Sequence, residues 1–322
     1  MTWLVTGGAG YIGAHVVRAL TYAGLTPVVV DDLSSGFAAF VAEGVPFVQG
    51  SILDKDLLVA TMTEHNVTGV IHVAGYKYAG VSVTRPLHTY EQNVTGTAVL
   101  LEAMQLCGVD RIVFSSSAAV YGTPPGELVT EDTPKNPQSP YGESKLIGEW
   151  LLRDQAIATG LRHTSLRYFN VVGSGDPSVY DTSPHNLFPL VFEALVAGRT
   201  PRINGDDYET PDGTNVRDYI HVADLAVSHV EAARKLDAHE DLEPAYNLGS
   251  GEGVSVGEIM AAIADVTGIA FIPEIAPRRP GDPARIVAEG ELAARDLDWR
   301  MRHTLREMVD SAWTARTAAL SA

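Results

Sequence analysis

Tyr141 and Lys145 lie four residues apart in Ser139-Pro140-Tyr141-Gly142-Glu143-Ser144-Lys145, so on a helix a phenol and an ammonium share one face. A free tyrosine has a pKa of roughly 10, and a neighbouring cation favours its phenolate, which turns the side chain into a base. The spacing alone describes an ordinary exposed pair. Its surroundings say more: Ser115-Ser116-Ser117 directly follows the strand-like run Ile112-Val113-Phe114. Hydroxyls there stand at the carboxyl edge of a sheet, where open α/β folds bind ligands. Ser117 is the hydroxyl expected to meet a reacting oxygen, and Ser115 and Ser116 read as a polar strand end that satisfies its own backbone.

A second constellation sits at the start of the chain. Gly7, Gly10 and Gly13 punctuate Gly7-Gly8-Ala9-Gly10-Tyr11-Ile12-Gly13 between a strand and a helix. Such glycines permit a tight turn, approach of backbone to a phosphate, and close packing of helix on sheet. No Gly-Lys-Ser/Thr follows, so this is not a Walker loop. Asp31 closes the next strand 18 residues beyond Gly13, where a carboxylate can accept hydrogen bonds from ribose hydroxyls. No Arg or Lys occurs between Asp31 and Gly50 to hold a 2′-phosphate, and Asp31 and Asp32 would repel one, so NAD is expected rather than NADP. Asp32 reads as a loop carboxylate and Asp31 as the stronger ligand.

The elements that must position these groups follow from periodicity. Strand-like runs at 3–6, 27–30, 45–48, 69–73 and 111–114 alternate with helical stretches, and their unbroken apolar character suits strands covered on both faces. A doubly wound parallel sheet of the Rossmann-like α/β class is therefore expected. Ile12, Val16 and Leu20 mark the first helix, which Gly24 ends; Asp54 caps a second; a long helix begins at Pro86; Ser139 caps and Pro140 opens the helix of Tyr141. After Phe169-Asn170, residues 173 to 185 crowd with Gly, Pro, Asp and Ser, and a smaller C-terminal α/β substrate lobe begins, with helices near 187–197, 222–233, 256–266 and 305–318. The expected division is 1–170 for the dinucleotide and 171–322 for the substrate, with about 217–248 rejoining the first part.

With 322 residues, 45% of them hydrophobic, the chain can bury a large core. Lys+Arg number 23 against 40 Asp+Glu, a formal charge of -17 that opposes nucleic acid and anionic membranes. An anionic ligand must then find local cations. One cysteine, Cys107, cannot close an internal disulfide, no run approaches the ~18 apolar residues of a membrane span, and Met1-Thr2-Trp3-Leu4-Val5-Thr6 lacks a signal-peptide pattern, so the cytoplasm is expected. His72, His185 and His221 lack metal-ligand spacing and no metal is expected; Asp206-Asp207-Tyr208-Glu209 reads as a solvated loop.

Together the glycine loop, Asp31, Ser117 and Tyr141-x-x-x-Lys145 resemble the extended short-chain dehydrogenase/reductase family. The resemblance runs through Phe114-Ser115-Ser116-Ser117-Ala118-Ala119-Val120-Tyr121-Gly122, Leu166-Arg167-Tyr168-Phe169-Asn170 and Val216-Arg217-Asp218-Tyr219-Ile220-His221, and covers nearly the whole chain. For the cofactor it implies Tyr11 and Ile12 at the pyrophosphate, and Asp31, Asp32, Leu33, Ser34, Ser35 and Gly36 around the adenosine. Ser51 and Ile52 would lie at the adenine, and Val73, Ala74, Gly75, Lys77, Asn93 and Phe169 along the rest. For a nucleotide sugar it implies Asn170, Asn186, Leu187, Ile203, Asn204, Arg217, Arg279 and Asp282 beside Ser117 and Tyr141. Arg217 with Arg278-Arg279 from a distant segment is suited to clamp a diphosphate.

The implied activity is reversible 4-epimerisation of UDP-glucose and UDP-galactose through a 4-keto intermediate, with NAD restored in each turnover. Tyr141 would act as base, with Ser117 and Lys145 organising the step. Epimerisation of a uronate, pentose or N-acetylhexosamine, net reduction, or a non-catalytic dinucleotide-binding module remain alternatives; Ala118-Ala119 after Ser117 lacks the acidic pair of dehydratases. Ser51 stands at a usual Asp position, Val81 at a usual Glu, and Asn204 at a commonly aromatic or apolar one. Ile286, where the family often has Cys, Ser or Tyr, is expected to narrow the room for an N-acetyl group. A homodimer through the helices beginning near Pro86 and Tyr141 is also implied.

Overall fold

The computed structural model describes residues 1–279 and 282–321. Seven parallel strands form its main sheet: β1 (Thr2–Thr6), β2 (Thr26–Asp31), β3 (Phe47–Gln49), β4 (Gly69–His72), β5 (Arg111–Ser115), β6 (Arg162–Tyr168) and β7 (Ala245–Leu248), ordered β3-β2-β1-β4-β5-β6-β7. The order reverses at β1, so the loops after β1 and β4 diverge and leave a crevice at the carboxyl ends. Alternation explains the apolar runs. Trp3, Val5, Val29, Ile71 and Val113 enter one core, while Leu4, Val28, Val30, Val70 and Ile112 enter the other. Both faces are dry, and each such side chain contributes about 1.5–3 kcal/mol on burial.

The helices covering those faces are α1 (Tyr11–Tyr22), α2 (Lys55–Glu64), α3 (Gly96–Cys107) and α4 (Pro140–Thr159). Val16, Val17 and Leu20 of α1 pack on the first face; Leu58 and Met62 of α2, Leu100 and Met104 of α3 and Leu152 of α4 pack on the second. Asp54 accepts from Leu57 N at 3.0 Å and Ser139 from Gly142 N at 3.2 Å, so two expected caps are made. The long helix from Pro86 is not uniform: Pro86–Tyr90 passes through a π turn at Glu91–Thr95 before α3. Inside that turn Asn93 is buried, accepting from Tyr76 N at 2.6 Å and donating to Ser144 Oγ at 2.8 Å. Such turns admit an extra residue where an inward side chain is needed.

Sequence reading left β6 without a strand of its own, because Arg162, His163, Thr164, Ser165 and Arg167 break its apolar run. Distant partners meet some of these groups, with Thr164 Oγ1 donating to Glu243 O at 2.9 Å and Arg167 pairing with Glu149, while the buried His163 Nδ1 and Ser165 Oγ find no hydrogen-bond partner among the described residues. The longer helices that follow are α5 (Leu187–Val196), α6 (Val222–Asp237), α7 (Val256–Thr267) and α8 (Leu305–Ser321). α6 returns to pack on α1, and Leu225 and Val230 enter the core with Val16 and Val17. Phe188 and Phe192 of α5, Ile259 and Ile263 of α7, and Met308 and Val309 of α8 build a separate core. A four-stranded sheet joins Val254–Ser255, Val216–Arg217, Arg285–Ala288 and Leu128–Val129. Among the described residues no helix is long and apolar enough to cross a membrane.

Candidate active site

A cavity of about 1080 Å³ lies along the carboxyl ends of the main sheet. Gly7, Gly10, Tyr11, Ile12 and Gly13 line it, as do Asp31, Asp32, Ser34, Ser35, Ile52, Val73, Ala74, Gly75 and Lys77. Ser117, Tyr141, Lys145 and Phe169 line its centre, and Asn170, Asn186, Leu187, Asn204, Arg217, Arg279 and Asp282 line it as well. Chain segments more than 200 residues apart thus converge on one space.

The glycine loop is shaped for close approach. Gly7 has φ +73, and a Cβ on Gly13 would stand 2.1 Å from Gly7 O. Gly10 caps α1 without any side chain, so the first amides of the helix face the cavity unobstructed. Asp31 braces the loop: Oδ2 accepts from Ala9 N at 3.0 Å and Oδ1 from Leu33 N at 2.8 Å. Burial raises its carboxyl pKa above the usual value, while those two amides pull it down. Each carboxylate oxygen keeps a lone pair for another donor. A glycine cradle at an open helix end, with a carboxylate closing the adjacent strand, fits a dinucleotide with a free ribose diol.

At the centre, Pro140 starts α4 and the next two turns carry Tyr141 and Lys145. Lys145 Nζ donates to Ser115 O at 2.8 Å and lies 5.9 Å from the centroid of the Tyr141 ring, over Phe114 at 4.9 Å. Burial dominates both groups. It raises the Tyr141 phenol above 10, against hydrogen bonding by Ser117, and lowers the Lys145 ammonium to about 8. The Ser117 hydrogen bond is what favours the ionised phenol here. Ser115 and Ser116 do not satisfy their own backbone as expected: Ser115 Oγ pairs with His229 Nε2 at 2.7 Å and Ser116 Oγ donates to Glu149 Oε1 at 2.6 Å.

On the far wall Arg217 makes an ion pair with Asp282 and donates to Pro283 O at 2.8 Å. Arg279 lines the cavity, but Arg278 does not; it pairs with Asp207 at 2.5 Å and stacks 4.1 Å over the Tyr208 ring. The 206–209 loop is accordingly not merely solvated, since Tyr208 is buried. Asn170 Nδ2 donates to Asp218 O at 2.8 Å, and Asn186 Nδ2 to Asp181 Oδ2 at 2.7 Å.

Several expected residues stand back from the cavity. Ile203 is in the C-terminal core, and Asn93 holds the 75–76 turn instead. Leu33, with φ +61, Gly36 and Ser51 do not line it either. Ile286 packs against the Val120, Tyr121, Val129 and Leu146 cluster and does not line the cavity, so it does not narrow it directly. Conversely, Tyr78, His88 and His185 line the cavity and were not anticipated, beside Tyr76 of the Val73 to Lys77 stretch expected along the cofactor; Tyr76 with His88, and Tyr78 with His185, make edge contacts at 5.0 and 5.1 Å. For Tyr78, an aromatic residue in the loop after a strand was the available signal; His88, in the helix Pro86–Tyr90, and His185, just before α5, carried none.

A family model described as the NAD dependent epimerase/dehydratase family matches residues 3–249. A UDP-glucose 4-epimerase of Azospirillum brasilense is 44% identical over 305 residues, 93% of this chain and 87% of that one. The crystal structure of UDP-glucose 4-epimerase from Bifidobacterium longum, in complex with NAD+ and UDP, has a TM-score of 0.90 and 38% identity, covering 99% of this chain and 98% of that one. The UDP-Glc/GlcNAc 4-epimerase of Campylobacter jejuni has a TM-score of 0.86 and 33% identity, covering 98% of this chain and 99% of that one.

Proposed function

The chain belongs to the NAD dependent epimerase/dehydratase family, and from that premise we propose that it catalyses reversible 4-epimerisation of UDP-glucose and UDP-galactose with bound NAD. The observation that carries this reading is one cavity lined by the glycine cradle with Asp31, by Ser117, Tyr141 and Lys145, and by Arg217 and Arg279. Residues 1–170 are assigned to the dinucleotide and 171–322 to the nucleotide sugar, with 217–248 returning to the first part.

Gly7, Gly10, Gly13 and Asp31 would hold the NAD pyrophosphate and adenosine ribose, with Lys145 toward the nicotinamide ribose. Bound there, NAD supplies reversible two-electron redox chemistry for C4 of the sugar and is not consumed. Tyr141 accepts the proton of the sugar 4-hydroxyl, and Ser117 hydrogen-bonds the same oxygen as it becomes a carbonyl. Lys145 lowers the cost of the phenolate. Arg217 and Arg279 anchor the diphosphate, so the 4-keto sugar can turn on its tether and present the other face of C4. Tyr141 then returns the proton. A firm grip on the nucleotide beside a permissive sugar pocket suits that turn.

Incubation with UDP-galactose without added reductant, followed by separation of the sugars, tests the reading: UDP-glucose is expected with no net change in nicotinamide absorbance. In a second incubation with added NADH, its stoichiometric loss would show a reductase instead. UDP-N-acetylglucosamine run in parallel tests the wider specificity of the Campylobacter relative. Two finer assignments accompany this one. A homodimer is supported by Leu87, Trp150 and Ile157, which are 82%, 47% and 80% exposed on the helices around Pro86 and α4; light scattering tests it. A cytoplasmic location is supported by the single Cys107, and cell fractionation tests that.

A further inference from the structure

Beyond Tyr141 and Lys145 the same face of α4 continues to Glu149, so positions i, i+4 and i+8 carry a phenol, an ammonium and a carboxylate. Glu149 is held away from solvent by Arg167 of β6; their side chains are 10% and 6% exposed. Glu149 Oε1 accepts from Ser116 Oγ at 2.6 Å and from Arg167 Nε at 2.8 Å, and Oε2 accepts from Arg167 Nη2 at 2.6 Å. The guanidinium is fixed in turn: Nη1 donates to Tyr121 OH at 2.8 Å, and Tyr121 OH donates to Asn247 Oδ1 at 2.7 Å. Four elements, β5, α4, β6 and β7, are thereby locked together behind the reacting groups.

Stability is a weak reason for such a pair, because buried ion pairs are often replaceable by apolar residues at no loss. Its position gives a better one. Ser116 is flanked by Ser115, whose carbonyl receives Lys145 Nζ, and by Ser117, which hydrogen-bonds Tyr141. We propose that Glu149 is a positioning residue: through Ser116 it fixes the strand end that presents Ser117, and it is the counter-charge that keeps Lys145 an ammonium beside Tyr141. The kinetic part rests on the epimerase reading above.

The charges around this pair are consistent with that role. Facing Lys145 are Tyr141 on its own helix and His72 at the end of β4, while Tyr168 at the end of β6 faces Tyr141 and Ser115. His72 is buried between Thr6 and Thr97, and burial holds it neutral with a pKa of about 3. Facing Glu149 are Arg167, Tyr121, His163 and Lys135, with Glu131 beyond them beside Tyr121 and Lys135. Among the described residues Glu149 is the charge that opposes the effect of burial on Lys145.

The test uses the full-length protein. Glu149→Gln keeps the shape and removes the charge, and should move the alkaline limb of the kcat profile about one pH unit downward, with KM little changed. A merely structural role would lower kcat at every pH without moving the limb. NMR titration of isotopically methylated lysines, with Lys145 assigned through Lys145→Arg, should show the same downward shift and needs no turnover. Failure of the epimerase reading would appear separately, as a wild-type chain that does not convert UDP-galactose. Ser116→Ala, which deletes a single hydroxyl, should lower kcat about tenfold with the limb in place. An unmoved Lys145 titration in Glu149→Gln, or wild-type kcat in Ser116→Ala, overturns the inference.

Discussion

Gly13→Ala sets two opposed effects against each other in one residue. Gly13 is the third residue of α1, and in an ordinary helix alanine would be better than glycine by about 1 kcal/mol. Here the added Cβ would meet Gly7 O at 2.1 Å, Gly7 C at 2.8 Å and Gly8 Cα at 2.9 Å. A carbon beside a carbonyl oxygen normally stays at roughly 3.3–3.6 Å, so the contact must open by more than ~1 Å. Every atom in the way is backbone, and no side chain can swing aside. Overpacking of this kind costs roughly 1–3 kcal/mol or more, and here it also displaces the loop that Asp31 braces. The clash outweighs the helix gain, for a net loss of about 1–2 kcal/mol. In a chain of this size that lowers Tm by roughly 1.5 °C for each kcal/mol. The displaced loop should also weaken NAD binding at least tenfold, about 1.4 kcal/mol. Thermal unfolding and NAD titration by calorimetry measure both effects. Gly80→Ala serves as the control, since nothing lies within 4 Å of its Cβ position and it has no left-handed φ. Wild-type Tm and NAD affinity in Gly13→Ala would refute the reasoning.

Tyr141→Phe should reduce kcat by about 100-fold or more, the lower end of what a lost general base costs, while UDP and NAD still bind; full turnover would remove Tyr141 as the base. Arg217→Met should raise KM for the nucleotide sugar about tenfold or more with a smaller effect on kcat, because a charge-assisted anchor is lost before and after the chemical step alike. Acid sensitivity follows from His15, His72, His221 and His229, whose burial lowers their pKa to about 4, 3, 4 and 4. An unfolded histidine titrates near 6.5, so between there and the folded values the unfolded chain holds more protons. Their stabilising effect is full above about pH 6.5 and falls with decreasing pH by about 1.4 kcal/mol per unit for each histidine. Urea unfolding midpoints measured from neutral pH to about pH 5 should decline, and His229→Gln should flatten the decline; a pH-independent midpoint would contradict it.

Much of this molecule is legible locally. A helix cap, a glycine spacing or an i, i+4 pair involves residues within a few positions of one another, and the backbone geometry that unites them is set by the element they occupy. Asp54, Ser139, the 7–13 loop, Asp31 at the end of β2 and the shared face of Tyr141 and Lys145 were readable for that reason. Strands β1 to β5 declared themselves as apolar runs, but β6 and β7 did not, because polar residues interrupt both and distant partners meet groups such as Thr164 and Asn247.

Tertiary structure decided the rest, because burial and long-range pairing depend on which surfaces meet. Arg278 and Arg279 are adjacent in sequence, yet one pairs with Asp207 outside the cavity and the other lines it. Ile286 could be assigned to the sugar pocket by position but packs behind it. Glu149 looks like any helical carboxylate until Arg167, 18 residues away, and Ser116, 33 away, close around it. The sequence by itself determined which residues could do the chemistry; folding decided how far burial raises Tyr141 and lowers Lys145, and which carboxylate opposes it, because removal of water is a property of the packed chain.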